Sequence, residues 1–327
     1  MAIARKKTTA KPAAKKAKAK AKAKAKKPAA KPKSAVKKAA AKRVAVKPKA
    51  AANKPAPKPK AAMKPTASPT TRAVRDVVAR VAAIDWNGIS GEQATGFATQ
   101  FAVLGAGGKP ATKAFATIRR LLGDDGRTLP IAGLAFPFIV ELLAHAPGAD
   151  RSTILEYLTN AAMFGHAQWI DSGFLPPDRD GGLLAARSRA RIHAAFSAGA
   201  PLYRALLAGE DAKVRATAAF ALGFAREPDA VATTSALRES LATEGDASVR
   251  ASLLLALAMV DRASVAAVAA AGLTASSAEE RLASAISCSL GDSADPRVVA
   301  VLRADATTRL RSPWFGGDAA AFARRRV

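Results

Sequence analysis

Lysine side chains dominate the first part of the sequence and supply its clearest chemistry. The stretch AKKAKAKAKAKAKK runs from Ala14 to Lys27, and no Asp or Glu precedes Asp76. A lysine ammonium is a mobile point charge that attracts phosphate groups. Binding to a nucleic-acid backbone through such charges releases counterions, so affinity is high at low salt and falls steeply as salt rises. The segment therefore predicts binding to a polyanion.

The candidate phosphate-binding residues are the basic side chains between positions 15 and 49. They are Lys15, Lys16, Lys18, Lys20, Lys22, Lys24, Lys26, Lys27, Lys31, Lys33, Lys37, Lys38, Lys42, Arg43, Lys47 and Lys49. This part of the chain has no aromatic side chain to stack on bases and few arginines to recognise guanine, so we expect binding without sequence preference. The alternatives are a solubilising tail, or a tail that binds polyphosphate or an acidic membrane surface.

The charge of the protein is divided sharply along the chain. The net charge is +27, and 25 of the 52 Lys and Arg residues lie in the first 72 positions, whereas basic and acidic residues are nearly equal in number after that point. Residues 1–71 are rich in Lys, Ala and Pro. Lysine repulsion and frequent prolines oppose helix formation there, so we predict a disordered basic tail.

From position 72 the sequence changes to amphipathic segments in which apolar residues recur every three or four positions. Gly, Pro, Asp and Ser mark the short loops between them. We predict helices at 72–83, 91–104, 111–122, 130–144, 150–163, 183–196, 200–207, 212–224, 231–241, 247–259, 265–271, 278–290 and 297–304. The predicted fold class is all-α, with a helical domain at 72–310, a long loop at about 165–182 and a short C-terminal tail at 311–327.

Three segments of the body align without gaps and predict a structural repeat. They are DAKVRATAAFAL from Asp211, DASVRASLLLAL from Asp246 and SAEERLASAISC from Ser277. Asp211, Asp246 and Ser277 stand at helix N-cap positions. Ser277 with Glu280 has the sequence pattern of a capping box. Each segment carries an arginine four residues after its cap, and these arginines are Arg215, Arg250 and Arg281.

The arginines of the body have two alternative roles, in phosphate binding or in structure. The repeat arginines could line a phosphate-binding groove or form a ladder of ion pairs with the neighbouring caps Asp211 and Asp246, and we favour the ladder. Arg187, Arg189 and Arg191 form the densest basic cluster of the body. Arg187 and Arg191 share a helix face because they are four residues apart. We interpret this cluster as a solvated surface, with phosphate binding as the alternative.

The Asp-x-x-Val-Arg-x-x-Ala pattern of the aligned segments resembles HEAT and HEAT-like repeats. The resemblance is good over about residues 200–305 and weaker over 72–170. It implies an α-solenoid, a stack of antiparallel helix pairs with a concave face, in which repeats of roughly 40 residues would number about six. The composition of residues 31–60 is similar to that of the tails of linker histones and bacterial histone-like proteins.

Two enzyme families share the implied fold. HEAT-like alkyl-base DNA glycosylases use aromatic and acidic residues in a concave cleft, and Trp169 with Asp171 is the only suggestive pair in this sequence. No local motif of that family matches the chain. HEAT-like phycobilin lyases are related by fold, and nothing in the sequence indicates a bilin.

Other catalytic and metal-binding patterns fail at specific positions. GAGGKPAT from Gly105 lacks the first Gly and the Ser/Thr of a phosphate loop. DRDGG from Asp178 has Arg189 where an EF-hand has its glutamate. The three histidines and Cys288 show no metal-ligand spacing. We therefore predict no catalytic residue, no metal site and no cofactor.

These patterns lead us to expect a non-enzymatic scaffold whose tail binds DNA or RNA and whose helical body binds an unidentified protein partner. The alternatives are a pure protein-interaction solenoid with a solubilising tail, and a HEAT-like DNA-modifying enzyme. Cys288 is the only cysteine, which fits a reducing compartment. No segment has the length of a membrane span. The Ala- and Arg-rich body is typical of a GC-rich genome, so we expect a cytoplasmic, nucleoid-associated bacterial protein.

Overall fold

The computed structural model describes residues 69–91, 96–123, 131–146, 148–163, 183–225, 230–291, 295–310 and 314. All of them belong to one of two compact units of the chain, Lys64–Val327. The described residues form helices and the segments that connect them, with no strand among them, so the all-α prediction is confirmed. Positions 1–68 and the predicted loop at 165–182 lie outside the described residues.

The described helices cover nearly all of the predicted helical segments. They are α1 Pro69–Ala82, α2 Trp86–Ser90, α3 Phe97–Ala106, α4 Lys109–Leu122, α5 Ala132–Leu143, α6 Gly148–Ala162, α7 Leu183–Ala198, α8 Ala200–Leu206, α9 Ala212–Phe224, α10 Ala230–Thr243, α11 Ala247–Val260, α12 Arg262–Ala270, α13 Ala278–Leu290 and α14 Pro296–Ala304. A 3₁₀ helix at Ala271–Thr274 follows α12. The bounds of α9 and α13 are those predicted from the sequence.

The largest difference from the predicted helices lies before α3. The sequence predicts one helix from 91 to 104, whereas the structure has the short helix α2, ending at Ser90, and begins α3 at Phe97. Gly91 and Gly96 have φ values of 67° and 79°. A right-handed helix cannot pass through residues with positive φ, so both glycines interrupt the predicted segment.

Short polar side chains begin several helices by binding their first free amide groups. The Asp211 carboxylate accepts hydrogen bonds from Lys213 N at 2.8 Å and from Val214 N. Asp246 caps α11 in the same way, accepting from Ser248 N at 2.8 Å and from Val249 N at 3.1 Å. An N-cap of this kind stabilises a helix by about 1 kcal/mol.

The core of the C-terminal part is a row of tightly packed helices. Helix α9 packs against α11, and α11 packs against α13, while α10, α12 and α14 pack on members of this row. Every residue of α11 from Ala251 to Met259 is buried. The small side chains of α9, α11 and α13 allow their backbones to approach closely, so these helices are buried on almost every face.

The N-terminal part forms a second group of packed helices. Helix α1 packs on α3 and α5, α3 packs on α4, and α5 packs on α7. Helix α6 contacts α9 and thereby joins this group to the row. None of the described helices has both the length and the apolar character needed to cross a membrane.

Trp314 adds a core residue beyond the predicted end of the helical domain at 310. Its side chain is fully buried, and its ring lies edge-on to Phe220 with 4.9 Å between ring centroids. Its Nε1 donates a hydrogen bond of 2.7 Å to Ser252 Oγ, which donates in turn to Ala216 O at 2.6 Å. The folded body therefore reaches at least as far as Trp314.

Candidate functional site: the arginine ladder and the exposed cations

Arg215, in the first turn of α9, donates hydrogen bonds to a carboxylate and to backbone oxygens. Its Nε and Nη2 donate to the two oxygens of Glu244 at 2.7 and 3.0 Å. Its Nη1 donates to Gly209 O and Glu210 O at 3.0 and 2.8 Å. All three nitrogens of this guanidinium have acceptors, and the paired contact with Glu244 is the strong bidentate form of an ion pair.

Arg250 repeats this arrangement one segment later. Its Nε donates to Glu280 Oε1 at 2.8 Å, and its Nη1 donates to Leu241 O and Glu244 O at 2.9 and 3.3 Å. The Glu280 side chain is largely buried, so this pair is partly shielded from water. Arg250 thus ties the start of α11 to the loop before it and to the start of α13.

Arg281 completes the series at α13. Its Nε and Nη2 donate to the two oxygens of Asp305 at 2.9 and 3.0 Å, and its Nη1 donates to Ala275 O and Ser276 O at 2.9 and 3.0 Å. We call the three pairs Arg215–Glu244, Arg250–Glu280 and Arg281–Asp305 the arginine ladder. Each pair joins the start of one aligned segment to an acidic residue 24 to 30 positions later.

The ladder uses different carboxylates from those that the sequence suggested. We expected the arginines to pair with the caps Asp211 and Asp246, but those carboxylates accept backbone amides at the helix starts. The hydrogen bonds that Arg215 donates to the Glu244 carboxylate lower the pKa of Glu244 and raise the pKa of Arg215. The ladder therefore directs these arginines at protein carboxylates rather than at a phosphate groove.

Of the two hydrogen bonds in the capping box predicted at the start of α13, the structure has one. Glu280 N donates to Ser277 Oγ at 3.4 Å, as a capping box requires. The Glu280 carboxylate, which would reach back to the cap in that motif, accepts the Arg250 Nε instead. The glutamate therefore connects two helices rather than closing one.

An open pocket of about 490 Å³ lies beside the first pair of the ladder. Its lining includes Leu207, Gly209, Arg215, Ser240, Thr243 and Glu244. Both charged groups of the Arg215–Glu244 pair are already engaged with each other, and the other charged side chain of the lining is the exposed Glu239. The pocket therefore presents no cation that is free for an anionic ligand.

The three arginines of the basic cluster on α7 differ in their exposure to solvent. Arg187 and Arg191 are exposed, whereas Arg189 is half-buried. Between them, Ser188 is buried against α5, and its Oγ accepts a hydrogen bond of 3.0 Å from Gly133 N. A Cβ on Gly133 would lie 2.9 Å from the Ser188 Cα, so this close approach requires glycine and sets which face of α7 meets the solvent.

A second group of exposed cations was not predicted from the sequence. Lys109, Lys113 and Arg120 are exposed on α4, and residues 96–123 contain no Asp or Glu. Lys109 and Lys113 are four residues apart and Lys113 and Arg120 are seven apart, and this spacing places side chains on one helix face.

Several predicted residues lie outside the described part of the chain. They include the tail residues from Lys15 to Lys49, and Trp169 with Asp171. Among the described residues no group of three His, Cys, Asp or Glu side chains could hold a metal ion. Cys288 is buried, and burial raises the pKa of its thiol to about 11, so it is a poor nucleophile at neutral pH.

Comparison of the chain with protein-family models, with curated proteins and with solved structures found no match in any of the three.

Proposed function

We propose that the protein is a non-enzymatic scaffold that attaches itself to nucleic acid through its N-terminal lysines. One observation supports this most directly: the two parts of the chain use their cations differently. The repeat arginines of the body are paired with carboxylates in the ladder. The lysines before Asp76 have no acidic neighbour in the sequence. The excess positive charge therefore belongs to the N-terminal part, where phosphate groups are the complementary partner.

The mode of binding follows from the side chains of the tail. Lysine neutralises phosphates without recognising base edges, and residues 1–72 contain no aromatic side chain. The proposed binding is therefore electrostatic, independent of base sequence and strongly dependent on salt. RNA carries the same phosphate groups as DNA, and the partner that we propose is DNA in a bacterial nucleoid.

The helical body serves, in this proposal, as a HEAT-like solenoid that binds a protein partner. Two features support the repeat architecture. The aligned segments each begin a helix with Asp211, Asp246 or Ser277, and these helices, α9, α11 and α13, pack one against the next. A tail bound to nucleic acid would raise the local concentration of a protein held by the body without any further contact.

A salt series on the full-length protein tests this proposal. The comparison is between the natural chain and a variant in which the eight lysines from Lys15 to Lys27 are replaced by glutamine, using two DNA duplexes of unrelated sequence. We expect equal affinity for both duplexes. We also expect the slope of log K against log salt to be less negative in the variant, by about 0.9 for each phosphate contact removed. An unchanged slope in the variant, or strong preference for one duplex, would contradict the proposal.

A further inference from the structure

The solvent-facing side of α4 carries a straight row of cations. Lys109, Lys113 and Arg120 are all exposed. At 100° per residue their side chains fall within about 40° of one another around the helix, and at 1.5 Å per residue the row is about 16 Å long. Three cations therefore point in one direction along one side of a single rigid element.

The row is held in place by the opposite side of the helix. Ala111, Ala114, Phe115, Ile118 and Leu122 of α4 are buried in the core. Because this face is buried along the whole length of the helix, α4 cannot rotate about its axis. The direction of the three cations is therefore determined by the fold.

The immediate surroundings of the row favour an anionic partner. None of the three cations forms an ion pair with a carboxylate of the described residues. Exposed side chains between them, including Thr112 and Ala116, are small, so a phosphate backbone could approach closely. The Asp150 carboxylate accepts a hydrogen bond of 3.3 Å from Thr112 Oγ1 on this helix.

The row also lies in the group of helices to which the N-terminal lysines are attached. Helix α1 begins at Pro69, directly after the lysine-rich part of the sequence. Helix α1 packs on α3, and α3 packs on α4. In the sequence, the lysine-rich part is therefore followed directly by the group of helices that contains α4.

We propose that Lys109, Lys113 and Arg120 bind the phosphate backbone of duplex DNA that the tail holds. This inference rests on the proposed function and adds a second, folded contact surface to it. The row contacts phosphates only, because these positions lie on a face without aromatic side chains that could enter the base stack. Its purpose is to orient the body on the duplex, which a tail alone cannot do.

The test compares two full-length variants that lose the same charge at different places. One carries Lys109→Gln, Lys113→Gln and Arg120→Gln. The matched control carries Lys213→Gln, Arg303→Gln and Arg309→Gln, three exposed cations of the C-terminal part. Glutamine keeps a good helix propensity. Circular dichroism establishes that both variants retain the helical content of the natural chain.

The measured quantity is the slope of log K against log salt for a DNA duplex of defined length. If the natural chain makes three phosphate contacts through this row, the slope of the α4 variant should be less negative by about 2.7. Its affinity should therefore fall roughly 40-fold less than that of the natural chain when salt rises from 50 to 200 mM. The control variant should keep the slope of the natural chain to within a few tenths. That difference between the two variants would support the inference.

Two other results would overturn it. If the natural chain binds DNA and the α4 variant keeps its slope, or both variants lose the same amount, the row is not a contact surface although the tail proposal stands. If the natural chain does not bind DNA at any salt concentration, the proposed function and this inference fail together.

Discussion

Replacing Trp314 with alanine tests whether the C-terminal part of the chain is an integral part of the core. The indole is fully buried, packs on Phe220 and on Phe224 with ring centroids 4.9 and 5.6 Å away, and donates a hydrogen bond to Ser252 Oγ. Alanine removes the ring contacts and leaves Ser252 without its donor. Both losses act in the same direction on the free energy of unfolding.

The expected size of the effect follows from these contacts. Truncation of a buried tryptophan to alanine costs about 3–5 kcal/mol, which includes the lost transfer energy and the remaining cavity. For a folded unit of this length, each kcal/mol lowers the melting temperature by about 2–4 °C, so we expect a decrease of roughly 6–20 °C.

The assay is urea denaturation followed by far-ultraviolet circular dichroism, with Val299→Ala as the control. Val299 is 40% exposed, so its truncation should change the free energy of unfolding by less than about 0.5 kcal/mol. The Trp314 variant should unfold at a clearly lower urea concentration. A change below about 1 kcal/mol would refute the conclusion that Trp314 is part of the core.

The reciprocal change on α9 addresses the same contact from the other side. A Cβ on Gly223 would lie 2.9 Å from Trp314 Cη2 and 3.3 Å from the Ala256 Cα. Gly223→Ala should therefore destabilise the protein by about 1–3 kcal/mol through overpacking, although alanine is the better helix former. If the variant is more stable than the natural chain, the tryptophan does not occupy this position.

Two further predictions concern ionisable groups. Glu244→Gln should destabilise the protein at neutral pH by about 1.5–3 kcal/mol, because the Arg215 guanidinium loses its charged acceptor. Since that pair lowers the pKa of Glu244 below its ordinary value, the natural chain loses this stabilisation as pH falls through the folded pKa. Urea titrations at pH 7 and pH 3.5 should therefore show a smaller difference between the two proteins at the lower pH; an equal difference would exclude the ion pair as its source. For Cys288, the buried thiol with a pKa of about 11 should react with a thiol reagent at pH 8 only after unfolding, and rapid labelling of the native protein would contradict its burial.

Much of the local structure could be predicted because helices depend on residues close together in sequence. The 3.6-residue periodicity and the caps Asp211 and Ser277 located α9 and α13 with their exact bounds. The prediction failed before α3, where the positive φ values of Gly91 and Gly96 stop a helix that the periodicity alone would have continued. The periodicity of apolar residues does not indicate which φ value a glycine adopts.

The candidate site was predicted less completely, because exposure and pairing are properties of the folded chain. The spacing of Lys109, Lys113 and Arg120 is in the sequence, but only the burial of the opposite face shows that these residues meet the solvent together. In the same way, the cluster at Arg187 and Arg191 owes its exposure to the packing of Ser188 against Gly133.

The sequence by itself determined the all-α class, the repeated segments and the concentration of positive charge before Asp76, since each depends on composition or on neighbours within a few residues. The tertiary structure alone decided which carboxylates pair with the repeat arginines and that Trp314 enters the core. Ser252 and Trp314 are 62 positions apart, and Arg215 and Glu244 are 29 apart. Contacts over such separations depend on how the helices pack side by side, and a pattern of neighbouring residues does not specify that packing.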